Sequence, residues 1–140
     1  MDSSFRKIVT FIKNHHVLSL ATHYEDELSV CTLFYVFNEE KNIFIVASSK
    51  ETTHIKHILK NPQIAGNILL ETKTVGEIKG LQLRGKCSEL KEKLLKLEYF
   101  KTFPYALALN PTLWKIEVEH FKLTDNTLGF GKKILWSTKN

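Results

Sequence analysis

The apolar residues Phe5, Ile8, Val9 and Ile12 recur at three- and four-residue spacing, which predicts an amphipathic helix capped by Ser3 or Ser4. Beyond Asn14-His15-His16 the period falls towards two. Residues 17–22 alternate as a strand, the polar run Tyr24-Glu25-Asp26-Glu27 is a turn, and residues 28–37 return as the second arm of a hairpin. A further polar turn leads into residues 43–47, a short apolar run with β-branched members that suits a strand buried on both faces. The character then changes abruptly: Ser48-Ser49-Lys50-Glu51-Thr52-Thr53 opens a second helix, which Asn61-Pro62 closes.

Residues 64–70 form the next strand and residues 77–90 a longer one, in which Gly80 and Gly85 predict a bulge or sharp bend that lets the sheet curl. Residues 90–103 read as a lysine-rich amphipathic helix with Leu94, Leu97 and Phe100 inward and Pro104 as its stop. A last long strand spans residues 112–124 with Trp114, Ile116, Val118 and Phe121 as apolar members, and a polar tail leads to Ile134-Leu135-Trp136. Six or seven strands, mostly joined by tight turns and flanked by three helices, predict an α+β fold built on an antiparallel β-barrel rather than an alternating parallel sheet.

A chain of 140 residues with 43% hydrophobic content can bury one core, so residues 1–140 are expected to form a single domain. Of its 20 basic residues only Arg6 and Arg84 are arginines, and that bias argues against nucleic acid, whose phosphates and bases are read in bidentate fashion by arginine. No run approaches the length of a membrane span, and the N-terminus lacks the apolar core of a signal peptide, so a cytoplasmic location is expected. Cys31 and Cys87 show no metal-ligand or disulfide spacing and read as free thiols.

The chemistry concentrates at residues 48–53. A helix start carries unpaired backbone N–H groups and the positive end of the dipole, so the four hydroxyls and one ammonium there could hold a phosphate. The competing reading is plain capping, because Ser48-x-x-Glu51 spells a capping box. Other motifs fail. Gly80-Leu81-Gln82-Leu83-Arg84-Gly85-Lys86-Cys87 nearly spells a P-loop, but it alternates as a strand and has Cys where a hydroxyl is needed. Gly129-x-Gly131 lacks the third glycine of a dinucleotide fold. His54 and His57 stand one helical turn apart without a third ligand, so no metal site is expected. No side chain is assigned as acid, base or nucleophile, because nothing pairs a particular histidine with a particular hydroxyl.

Taken together, the leader His15-His16-Val17-Leu18-Ser19-Leu20-Ala21-Thr22, the strand Cys31-Thr32-Leu33-Phe34-Tyr35, the turn from Ser48 to His54 and the Asn61-Pro62 ending resemble the FMN-binding split-barrel superfamily of pyridoxamine 5'-phosphate oxidase. The tail Thr124-Asp125-Asn126-Thr127-Leu128-Gly129-Phe130-Gly131-Lys132-Lys133 resembles that of a small bacterial subfamily within it. The resemblance implies a split barrel that binds FMN as a homodimer and works as a flavin-dependent oxidoreductase. By position, the flavin ring would lie along Thr32, Leu33, Phe34 and Tyr35, with the phosphate on Ser48, Thr52, Thr53 and His54. Where the oxidase has arginine and lysine, this chain has Thr32, Thr53 and His54, so Lys50, Lys56 or the tail lysines would supply the charge. The oxidase's C-terminal Arg-x-His is absent, so oxidation of a vitamin B6 phosphate is not carried over. The tail turn, with Phe130 and Lys132, is expected to border the ligand cleft. An alternative from the same resemblance is a flavin-free, non-enzymatic barrel that binds haem or another flat ligand through His15, His16, His54 or His57.

Overall fold

The computed structural model describes residues 3–138. Along the chain run α1 (Ser3–Lys13), β1 (Val17–Tyr24), β2 (Glu27–Asn38), β3 (Ile43–Ala47), α2 (Thr53–Lys60), β4 (Gln63–Leu69), β5 (Lys79–Glu89), α3 (Lys93–Thr102), α4 (Pro104–Leu109), β6 (Leu113–Asp125) and β7 (Lys133–Ser137). Every ladder is antiparallel, in the order β3-β2-β1-β4-β5-β6-β7, and an extra β3–β6 pairing closes the first six strands into a barrel. Strand β6 is the branch point. One of its edges is held by β5, while the other is shared, with β3 on residues 113–117 and β7 on residues 120–124. The barrel therefore splits where β3 and β7 part from a common neighbour.

Strand alternation explains the interior. Leu18 and Leu20 of β1, Leu81 and Leu83 of β5 and Phe121 and Leu123 of β6 all point inward, with Phe44 and Trp114 fully buried among them. The uninterrupted apolar run of β3 has a specific cause: Phe44 and Val46 face this main core, while Ile43 and Ile45 join a second cluster beneath α3. Helix α1 buries Ile8, Val9 and Ile12, and its Phe5 packs on Trp136 of β7 at 5.1 Å between ring centroids.

Of the two glycines in β5, Gly85 makes the bend. The β5–β6 register slips between Arg84 and Gly85, leaving Glu119 as the extra residue, and a Cβ on Gly85 would lie 2.1 Å from the Glu117 carbonyl oxygen. A Cβ on Gly80 would meet nothing closer than 3.9 Å.

Helix α3 corrects the sequence expectation. Leu95 and Tyr99 face the second cluster with Phe100 beside them, whereas Leu94 is 81% and Leu97 63% exposed. The stretch from Lys93 to Phe100 offers two apolar rows at helical spacing, and the patch formed by Val36, Ile45 and Leu113 selects the row that starts at Leu95. Pro104 follows α3 but also opens the short α4, where a missing N–H costs nothing. The apolar residues of β6 are likewise spent inside the chain, so that strand offers no apolar surface to a second copy. Cys31 and Cys87 are free thiols; burial pushes Cys31 up and Cys87 up to about 12. Among the described residues no helix is long and apolar enough to cross a membrane.

Candidate functional site

The turn after β3 is held at both ends. Ser48 N–H bonds to Thr112 O at 3.1 Å, and Trp114 Nε1 donates to Ser48 O at 2.9 Å, so the strand end is pinned to β6. Thr52, not Ser48, caps α2: its hydroxyl accepts from Ile55 N and donates to Ser49 O at 2.8 Å. The capping box does not form. Ser49 instead donates to the Glu51 carboxylate, and Ser48 Oγ lies 2.6 Å from His54 Nε2. Burial, and secondarily the His57 imidazole, holds His54 below the ordinary imidazole range and favours its neutral form. With the ring proton on Nε2, His54 donates to Ser48 and leaves the serine O–H free to donate elsewhere.

A cleft of about 480 Å³ opens beside this turn, lined by Ser48, Ser49, Lys50 and Glu51 and, across from them, by Asn110, Pro111 and Thr112. Lys50 reaches Glu89 at 3.4 Å, an exposed pair that yields readily to a stronger anion. A phosphate at this turn would meet the Ser48 hydroxyl and the shared ammonium of Lys50, against the Glu51 carboxylate on the same rim. Thr53 is exposed at the first turn of α2, and neither it nor Thr52 lines the cleft.

The β2 candidates divide by alternation. Thr32 and Phe34 are exposed on the outer face, Leu33 is half-buried, and Tyr35 is a core residue, 4% exposed, with its hydroxyl donating to Ile12 O at 2.6 Å. Tyr35 and Leu33 side chains therefore cannot face a ring laid on the outside. Phe34 has aromatic neighbours there: His16 stacks on it at 5.6 Å and Phe103 meets it edge-on at 5.9 Å. His15 is turned away, bonded through Nδ1 to Phe11 O at 2.7 Å.

Within one chain the tail does not border the Ser48 cleft, because β6 separates them: Ser48 sits beside its start and the tail turn follows its end at Asp125. The turn is pinned by its own polar groups. Asn126 donates to Val75 O at 2.9 Å and accepts from Gly131 N at 3.0 Å, and Gly129 and Gly131 take the positive φ values of 138° and 73° that glycine tolerates. Phe130, 85% exposed, and Lys132 stand on this turn away from the other candidates.

The fold also assembles a carboxylate, imidazole and hydroxyl that the sequence did not connect. Glu27 Oε1 is 2.8 Å from His57 Nε2, and His57 Nδ1 is 2.9 Å from Thr22 Oγ1. Thr22 is 2% exposed, which denies it a substrate, so the line is a strut from α2 to the β1–β2 hairpin. Its contacts span 35 and 30 residues, beyond any local spacing signal. Among the described residues no group of three or more His, Cys, Asp or Glu could hold a metal ion.

No family model matches the chain. By structure, it superposes on a haem-binding protein from Mycobacterium smegmatis with a TM-score of 0.79 at 14% identity, covering 98% of this chain and 59% of that one. An FAD-binding protein from Mesorhizobium loti gives 0.72 at 14% identity over 85% and 90% of the two chains. A protein described as a putative pyridoxamine 5'-phosphate oxidase from Listeria innocua gives 0.70 at 16% over 84% and 95%. At such identities the likeness establishes the fold alone, a split barrel. By sequence, the UPF0306 protein of Photorhabdus laumondii is 35% identical over 136 residues, spanning 95% of each chain, and on that likeness this chain belongs to the UPF0306 family.

Proposed function

We propose that the chain is a cytoplasmic, FMN-binding, flavin-dependent oxidoreductase-like protein that works as a homodimer of single-domain subunits. The observation that carries this reading is the open cleft at the end of β3, where the Ser48 hydroxyl stands beside Lys50 and the N-terminal turn of α2. Ser48 and Lys50 would hold the phosphate, while Thr32 and Phe34 on the outer face of β2 would support the ring. FMN supplies the electron transfer, and the chain supplies placement and electrostatics. The exposed apolar residues Val30 and Phe34 on one face of β2 favour a second copy as their cover. Titration of FMN against the purified chain tests the reading: fluorescence quenching that Ser48→Ala weakens severalfold is expected, and an unquenched titration overturns it.

A second reading has its own observation. His16 is exposed and stacked on exposed Phe34, an imidazole beside a flat apolar face, which suits an axial ligand for haem. Under it, haem addition gives a Soret band that His16→Ala abolishes; an unchanged spectrum ends it.

A further inference from the structure

We propose that the outer face of the sheet carries a second ligand site, independent of the Ser48 turn, for a small planar molecule ending in a carboxylate or phosphate, with Arg84 and His120 as its anchors.

The register places the parts in one line. Val30 pairs with Ala21, Ala21 with Ala65, Ala65 with Arg84, Arg84 with His120 and His120 with Ser137, so a single row crosses six strands from β2 to β7. Their chain neighbours Thr22, Ile64, Leu83 and Phe121 are buried, which puts the whole row on the outer face. The row changes character along its length. Ala21 and Ala65 give a flat, exposed methyl floor, and Leu28, 81% exposed, borders it. From Arg84 onward the row becomes a set of donors.

Each donor is available. The ion pairs among the described residues leave Arg84 without a carboxylate, whereas Arg6 is paired with Glu39. Ser137 Oγ lies 2.8 Å from His120 Nδ1, which fixes the ring and leaves Nε2 as its outward edge. Two clefts, of about 680 and 390 Å³, meet at this row, and Ala65, Arg84 and His120 line both. The larger contains the alanine floor and Leu28 together with Glu119; the smaller adds Gln82 and Lys122 and contains no acid. An anionic head is therefore favoured between Arg84, His120 and Lys122, with the ring over the alanines. The guanidinium fork matches a carboxylate or phosphate in bidentate fashion. The register slip immediately after Arg84 bends β5 against β6 where the clefts meet, as bulges beside binding sites do. Neither cleft shares a residue with the one at Ser48.

Isothermal titration of the full chain with phenyl phosphate and with benzoate tests the proposal, with phenol as the ring-only control. At least one anion is expected to bind once per chain, and the one that binds identifies the head group. Arg84→Gln should weaken it tenfold or more, and Ala65→Phe, which fills the floor, should do likewise. Ser48→Ala should leave it unchanged, and phenol should not distinguish Arg84→Gln from the parent. Sedimentation should give all variants the parent's mass. Absence of binding by both anions overturns the site, as does parent-like affinity in Arg84→Gln. Loss in Ser48→Ala also overturns it, because the anion then sits at the other turn. Loss accompanied by a change in mass assigns the face to a contact between copies and overturns it as well.

Discussion

Ser48 Oγ lies 2.6 Å from Nε2 of His54, a bond that ties the end of β3 to the first turn of α2 and holds the ring where burial favours its neutral form. Burial lowers the affinity of His54 for a proton from the ordinary value of 6.5, so below that pH the unfolded chain takes up the proton more readily than the folded one. Stability should rise with pH from the depressed folded value up to 6.5 and be lost as acid is added through that window. Urea midpoints measured from pH 7 to pH 5 should fall in the parent and fall less in His54→Gln. Equal slopes in the two proteins would dissociate His54 from acid sensitivity.

Glu51 shares the rim of the cleft with Ser48 and Lys50 and takes the Ser49 hydroxyl. Removing its charge eliminates a repulsion against any phosphate there and releases the Ser49 donor. Glu51→Gln should tighten FMN roughly three- to tenfold, read by fluorescence quenching. Weaker binding by that variant would place the phosphate elsewhere.

The strut from Glu27 through His57 to Thr22 predicts unequal costs for its two ends. Thr22→Val leaves a buried imidazole nitrogen unpaired and should destabilise by about 1–3 kcal/mol. Glu27→Gln acts at a side chain that is 75% exposed and should cost below about 1 kcal/mol. Chemical denaturation of the two variants gives the comparison, and equal losses would contradict the strut.

Gly85→Ala drives a methyl group to within 2.1 Å of a backbone carbonyl on β6, which side-chain movement cannot relieve. A loss of about 3 kcal/mol or more, or failure to fold, is expected. Gly80→Ala has open space around it and should stay within about 0.5 kcal/mol of the parent, measured by thermal denaturation.

Helix α3 supplies a pair of adjacent leucines with opposite fates. Leu95→Ala opens a cavity against Val36 and Leu113 and should cost about 2–4 kcal/mol, while Leu94→Ala, at a position 81% exposed, should be nearly neutral. Reversed magnitudes would mean that the helix presents its other row.

Much of the architecture was legible along the chain because period and punctuation are local. The alternation of β1, the two-faced apolar run of β3, the Asn61-Pro62 stop and the curl at Gly85 follow from residues close together in sequence. The phase of α3 was not legible, because Leu94, Leu97 and Leu95, Tyr99 both satisfy helical spacing and only the cluster beneath them distinguishes the rows. The β2 candidates were half legible: alternation sends Tyr35 inward once the face of Phe34 is known, and that face is decided by the core.

The sequence alone determined that this chain curls an antiparallel sheet around an apolar interior and gathers hydroxyls at the end of its third strand, since hydrophobic period, glycine placement and turn chemistry act over a few residues. Tertiary structure alone decided which partners those hydroxyls take, that Glu27, His57 and Thr22 meet, that the tail turn lies at the far end of β6 from Ser48, and that Arg84 and His120 stand side by side. Each of these depends on strand register, and register is set by the packing of the whole barrel rather than by any stretch of chain.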